Sequence, residues 1–149
     1  MHGSPAPAQA AQLRRCTELE YLLLGDLREM LEEPVTPQGR NWMLAVVDTL
    51  LDMLPHEHRL KSVDGYLSEV LTEFPNWTGH VDRLEAQHYD LYDRLSDLRD
   101  ELEVETRDRT AANVLRYSLQ EWMEAFVEHR RRESELLQSA MCTDIGGGD

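Results

Sequence analysis

Two apolar stripes in this sequence carry imidazole where a hydrocarbon side chain belongs. His88 sits between Leu84 and Leu91, and His129 sits between Phe126 and Leu136 with Glu133 four residues after it. At that spacing His129 and Glu133 share one helical face. A buried polar group without a partner costs several kcal/mol, so each needs a hydrogen bond, a counter-charge or a metal. A third group, His56-Glu57-His58, follows directly on Pro55, and Cys16 lies on the first periodic segment. Imidazole and carboxylate donors together suit iron or zinc. Plainer readings stand beside this one. His88 can be a satisfied core histidine, and His129 with Glu133 a buried pair. His56 and His58 can be exposed at a helix break, and Cys16 can be a small core residue. Arg130, Arg131 and Arg132 read as a solvated face paired with acids, and Trp42, Trp77 and Trp122 as core or helix-end packing.

The elements that must position these residues are helices. Cys16, Leu19, Leu23, Leu27 and Met30 recur at steps of three and four, predicting a first helix over 9–33 that Pro34 and Pro37 end. A second helix is expected over 38–74. A kink or short break is expected at Pro55, because the ring removes a backbone hydrogen bond and crowds the preceding turn. Beyond the proline its stripe reads His56, Leu60, Val63, Leu67, Val70, Phe74. The third helix, over 78–105, carries Val81, Leu84, His88, Leu91, Leu95, Leu98 and Leu102. The fourth, over 108–140, carries Leu115, Leu119, Trp122, Phe126, His129, Glu133, Leu136 and Ala140. Amphipathic helices joined by short turns pack as antiparallel neighbours. The expected fold is therefore all-α, an up-down-up-down four-helix bundle with its second helix kinked at Pro55. Residues 1–8 are expected to form an arm, 9–142 the bundle and 143–149 a Gly-rich tail.

Register arithmetic tests whether the polar residues meet. A turn near residue 107 puts His88 level with about residue 126, so His129 lies on the order of 5 Å further along the axis. A turn near 35–36 puts Cys16 level with about residue 56. A turn near 75–76 sets His88 about five to seven residues from His58 or His56, an offset the Pro55 kink would have to absorb. His88, His129 and Glu133 are thus expected to converge, with His56 or His58 supplied by the second helix.

The composition narrows the partners. With 41% hydrophobic and 30% charged residues, the chain fits a folded globular domain. A net charge of −14 disfavours nucleic acid and anionic membrane, which need clustered Lys and Arg. Its apolar runs are too short to span a bilayer, and its start does not read as a signal peptide. Two cysteines far apart give no disulfide framework, and a reducing cytoplasm is the expected compartment.

Three local stretches resemble the hemerythrin-like (HHE cation-binding) family. They are Pro55-His56-Glu57-His58-Arg59-Leu60 followed by Gly65-Tyr66-Leu67, then Gln87-His88-Tyr89-Asp90-Leu91, then His129 through Leu137. The resemblance implies a four-helix bundle holding two irons through five histidines and two bridging carboxylates. His58, His88 and His129 match family histidines. Ser62, Leu84 and Ser134 stand where a bridging Glu, a second third-helix His and a bridging Asp would stand, and Cys16 takes roughly the first-helix position. Glu133 is one residue before the usual Asp.

The expected site is accordingly His56, His58, His88, His129 and Glu133, with Cys16 and Glu85 as additional ligands. It would hold one or two iron ions, or none. The expected function is a non-enzymatic bundle with a reduced site that senses or sequesters iron, oxygen or a related small molecule. The alternative is a metal-free regulatory bundle that binds another protein. A ferritin-like oxidase is disfavoured: Glu85-Ala-Gln-His88 is one copy of the Glu-x-x-His motif, and the fourth helix supplies no second.

Overall fold

A computed structural model describes residues 7–63, 65–104 and 108–147. The described chain is helical throughout, with no strand among the described residues. Four long helices, α1 (Pro7–Met30), α2 (Pro37–Ser62), α4 (Thr78–Glu103) and α5 (Arg109–Gly147), are accompanied by a short α3 (Tyr66–Glu73) and a 3₁₀ turn at Pro75–Trp77.

The helix ends follow local chemistry. Thr36 accepts a hydrogen bond from Gly39 N at 3.0 Å, and Pro37 supplies a pre-set φ at the first turn of α2. Asp108 Oδ1 accepts from Thr110 N at 2.9 Å at the start of α5. Helix C-termini leave carbonyls without intrahelical donors, and cations are favoured there. Arg40 donates to the carbonyls of Leu102 (3.1 Å) and Glu103 (3.0 Å) at the end of α4. Arg116 and Gln120 donate to Leu31 O past the end of α1, and Arg116 also reaches Glu32 O. The helices are thus tied end to end by side chains from distant parts of the sequence.

The second helix departs from expectation. It runs unbroken through Pro55 and ends at Ser62, and the stretch beyond forms the separate α3. Gly65, at the N-cap of α3, is pressed against the end of α2. A Cβ there would collide with the carbonyl oxygens of Leu60 and Lys61, so the turn admits only hydrogen at this position. The other boundaries shift less. Helix α1 begins at Pro7, α4 ends at Glu103, and α5 extends to Gly147 through most of the stretch expected as a tail. The rest of the expected arm (1–6) and residues 148–149 lie outside the described residues.

Apolar side chains form two clusters. The larger takes Leu27 and Leu31 from α1, Met43 to Leu54 from α2, Leu91, Leu95 and Leu102 from α4, and Leu115 to Phe126 from α5. The smaller takes Leu67 and Val70 from α3, Val81 and Leu84 from α4, and Leu136 and Ala140 from α5. Along α5 the order is informative: residues 115–126 serve the first cluster, 136–140 the second, and His129, Arg130 and Glu133 fall between. Along α2, Leu54 is followed by Glu57 and Lys61, both buried. A polar layer therefore crosses the bundle between two apolar ones. No helix among the described residues is long and apolar enough to cross a membrane.

Candidate functional site: a buried ionic layer beneath an open crevice

The layer is built by helical periodicity. On α2, Met43, Val47, Leu50, Leu54, Glu57 and Lys61 advance by four, three, four, three and four, so Glu57 and Lys61 inherit the inward face. On α5, His129 and Glu133 occupy the same inward stripe as Trp122 and Phe126. On α1, Glu20 stands one turn before the partly buried Leu23 and Leu24.

Three carboxylates and two cations interlock here. Lys61 Nζ donates to Glu57 Oε1 at 2.8 Å and to both Glu133 oxygens at 3.2 and 3.3 Å. Arg130 Nε donates to Glu20 Oε1 at 2.7 Å, while its Nη2 meets Glu20 Oε2 and Glu57 Oε1. Arg130 Nη1 donates to Glu133 Oε1 at 2.6 Å, and the Tyr66 hydroxyl donates to Glu133 Oε2 at 3.3 Å. The guanidinium lies 4.7 Å from the centre of the Phe126 ring, which holds its plane from below.

Charge is balanced within the layer. Burial opposes ionisation of Glu133, but Lys61, Arg130 and His129 outweigh it and hold this carboxyl at about 2. Burial, with a hydrogen bond to Glu57, pushes Glu20 up to about 8. Glu57 is held below the usual carboxylate range: burial acts against this, and Glu20, Arg130 and Lys61 prevail. Of this pair, Glu20 holds a proton more readily than Glu57. Glu57 Oε2 is buried with no hydrogen-bond partner among the described residues. Glu57 and Glu133 then offset Lys61 and Arg130. Burial and the neighbouring Glu133 carboxylate raise the Tyr66 phenol, so it stays a donor.

The histidines form the adjoining edge of the layer. The His58 and His88 rings stack with centroids 4.1 Å apart and planes 10° from parallel, and Tyr89 meets both edge-on. Ser62, at the position of a bridging Glu in the resembled family, has its hydroxyl 3.2 Å from His58 Nε2. His129 Nδ1 lies 3.1 Å from Gln87 Oε1, and His129 Nε2 lies 3.6 Å from Glu133 Oε1. All three rings are held neutral chiefly by burial. His88 and His129 fall to about 4, helped by neighbouring His58 and Arg130 respectively, and His58 is also lowered.

The expected site residues divide accordingly. His58, His88, His129 and Glu133 lie close together, although the register arithmetic sets His58 about five to seven residues from His88. His56 points outward, and Glu85 is exposed, acting on His58 only at a distance. Cys16 is partly buried against the larger apolar cluster, and burial raises its thiol. As arranged, these donors do not fit a bridged metal pair. The stacked imidazoles present faces to each other, and the carboxylates are occupied by Lys61 and Arg130. Among the described residues no three His, Cys, Asp or Glu side chains form a group able to hold a metal ion.

Several residues of the layer escaped the sequence reading. Arg130 belongs to the layer rather than to a solvated face; Arg131 and Arg132 do pair on the surface, with Glu128 and, for Arg131, Glu135. Glu20, Glu57, Lys61 and Tyr66 were not singled out as a unit. The signal for two of them was the α2 stripe, which continues through Pro55 onto Glu57 and Lys61. Trp42 is 63% exposed rather than packed, whereas Trp122 is fully buried and donates to Leu91 O at 2.8 Å.

Above the ionic layer the bundle is open. Helix α1 packs mainly on α2 and meets α5 through a few polar contacts. Between α1 and α5 lies a cavity of about 580 Å³. Leu13, Leu24, Phe126 and Leu137 give it apolar lining, and Glu20, Lys61, Tyr66, Arg130 and Glu133 give it polar lining. No family model, curated protein or solved structure matches the chain.

Proposed function

We propose that this chain is a non-enzymatic ligand-binding bundle, a divergent relative of the hemerythrin-like proteins, in which side-chain cations take the central position of a metal. The up-down-up-down arrangement, with a bend of α2 at Pro55, belongs to this reading. It is supported by contacts that join the start of one helix to the end of another: Gln9 with Leu60, Arg40 with Leu102, and Arg116 with Leu31. One observation carries the function: Lys61 and Arg130 lie among Glu20, Glu57 and Glu133 beside a crevice with apolar lining. Cavities of roughly 300–1,000 Å³ with apolar walls and a few convergent polar groups are the usual form of small-molecule sites. A metal would have to displace two buried cations, each satisfied by at least two carboxylates.

The test is saturable binding of Nile red, a neutral dye that brightens in apolar surroundings. Val127 lines the crevice and is 47% exposed, so Val127→Trp fills the mouth without disturbing the core. One dye per chain, lost in Val127→Trp, supports the reading. Binding unchanged in Val127→Trp, or no binding, refutes it. The convergence of His58, His88 and His129 keeps a metal as the second reading. About one metal per untagged chain, lost in His129→Ala, would establish that reading in place of the first.

A further inference from the structure

We propose that the α1–α5 crevice takes a small organic carboxylate with a linear apolar body, of the medium-chain fatty-acid class, and that Glu20 occupies the carboxylate's place in the free chain. This rests on reading the crevice as a ligand site. It adds the chemistry of the ligand and an internal competitor.

The geometry of Arg130 is the first support. Its Nε and Nη2 meet the two oxygens of Glu20 side by side, Nε at 2.7 Å, which is the bidentate fork that guanidinium makes with carboxylate. A carboxylate site is thus already built and filled from within. Arg130 is also the most accessible member of the layer: its side chain is 24% exposed, against 2–7% for Glu20, Glu57, Lys61 and Glu133. An incoming head group meets it first. Phe126, stacked under the guanidinium, lines the same crevice as Arg130.

The second support is the balance of charge. Burial and Glu57 raise the Glu20 carboxyl, so a ligand carboxylate that ionises freely is a stronger partner for Arg130 than Glu20 is. The crevice is lined by Arg28, Lys61 and Arg130 against the carboxyls of Glu20 and Glu133. Three cations face two acids, in a chain whose net charge is −14. A mono-anion completes that count; a cation does not.

The third support is the wall. Leu13 on α1 and Leu137 on α5 lie seven residues from Glu20 and Arg130 respectively, on the order of 10 Å along the helices, and line the crevice with hydrocarbon suited to an unbranched chain. Helix α1 packs mainly on α2, so the Glu20 side chain can rotate away from Arg130 while that packing stays in place.

The experiment is displacement of Nile red from the full chain at pH 7 by decanoate and by decan-1-ol, below their aggregation concentrations. Decanoate is expected to displace the dye at least tenfold more effectively than the alcohol. Glu20→Ala should strengthen decanoate binding several-fold by removing the competitor, and Arg130→Lys, which keeps the charge but loses the fork, should weaken it about tenfold. Equal displacement by acid and alcohol, or weaker decanoate binding in Glu20→Ala, overturns the carboxylate proposal while leaving the crevice standing. Dye that never occupies the crevice overturns both.

Discussion

Replacing Lys61 by methionine removes one cation from the ionic layer while keeping most of the side chain's volume. In the native chain Lys61 Nζ bridges Glu57 and Glu133, and the lysine side chain is 7% exposed. Removing one partner of a buried pair costs about 3–5 kcal/mol, because the remaining carboxylates keep their desolvation cost and lose their counter-charge. For a chain of 149 residues, 1 kcal/mol shifts Tm by roughly 2–4 °C. Lys61→Met is therefore expected to melt about 10–15 °C lower at pH 7. The pH profile adds a sharper signature. Glu133 ionises at about 2 in the folded chain and near 4.3 in the unfolded one. A depressed carboxyl stabilises the fold above its unfolded pKa, and that stability is lost as pH falls from about 4.3 through 2. Here it amounts to about 3 kcal/mol, shared with Arg130. Lys61→Met should shrink this acid-sensitive part, so the variant and the parent converge in stability near pH 2–3. Urea unfolding at pH 7, 5 and 3 measures both effects. A loss below about 1 kcal/mol at pH 7, with the acid limb unchanged, would refute the reading of Lys61 as the counter-ion of Glu57 and Glu133.

Glu20 has the opposite linkage. Its folded pKa, about 8, lies above the unfolded value, so stability falls as pH rises from about 4.5 to 8. Glu20→Gln, which keeps a neutral hydrogen-bonding side chain, should flatten that limb and be more stable than the parent at pH 9 in thermal melts. His88 and His129 ionise at about 4 in the fold, below the unfolded 6.5, so they contribute stability above pH 6.5 that is lost as pH falls toward 4. Their ring nitrogen shifts by NMR should remain those of neutral imidazole at pH 5.5, and a ring charged at that pH would contradict the burial described. Gly65→Ala should cost about 1–3 kcal/mol in urea unfolding, because the added methyl collides with the α2 carbonyls of Leu60 and Lys61. A neutral effect would mean that the turn after α2 relaxes freely.

The fold was legible where the apolar period was clean. Every seam residue expected on the last helix, Leu115 through Ala140, is buried, including His129 and Glu133. The third helix matches almost as closely, and its pairing with the last brought His88 and His129 together as the turn position required. The first helix was read with its phase slightly turned. Leu19 is 43% exposed, while Glu20 is 4% exposed, because a stripe of leucines on several faces does not say which face is inward. The second helix is expected to kink or break at Pro55, and it passes that residue without a break for a physical reason. Proline costs a helix one hydrogen bond, which burial of Met53, Leu54 and Glu57 around it can outweigh. Glycine after a helix ends it by letting the chain pass close to the last carbonyls, a requirement that shows only once the packing is seen. The ionic layer was hidden because its members are charged, and charged residues read as surface unless their position in the stripe is counted. Arg130 sits in a run of three arginines of which only one turns inward.

What such a layer does for the molecule follows from its energetics. A buried ion-pair network contributes little net stability, and well-packed apolar residues of similar volume are often as good or better. The bundle already has an apolar cluster on each side of the layer, so Glu20, Glu57, Lys61, Arg130 and Glu133 are not needed to hold the helices together. Nor is the layer enclosed throughout, since Lys61, Tyr66, Arg130 and Glu133 line the crevice between α1 and α5. The chain thus keeps its costliest side chains beside an opening in the packing, with the most accessible of them, Arg130, at its edge. Polar groups placed for cohesion alone need no such opening, and the proposed ligand site gives this one a use.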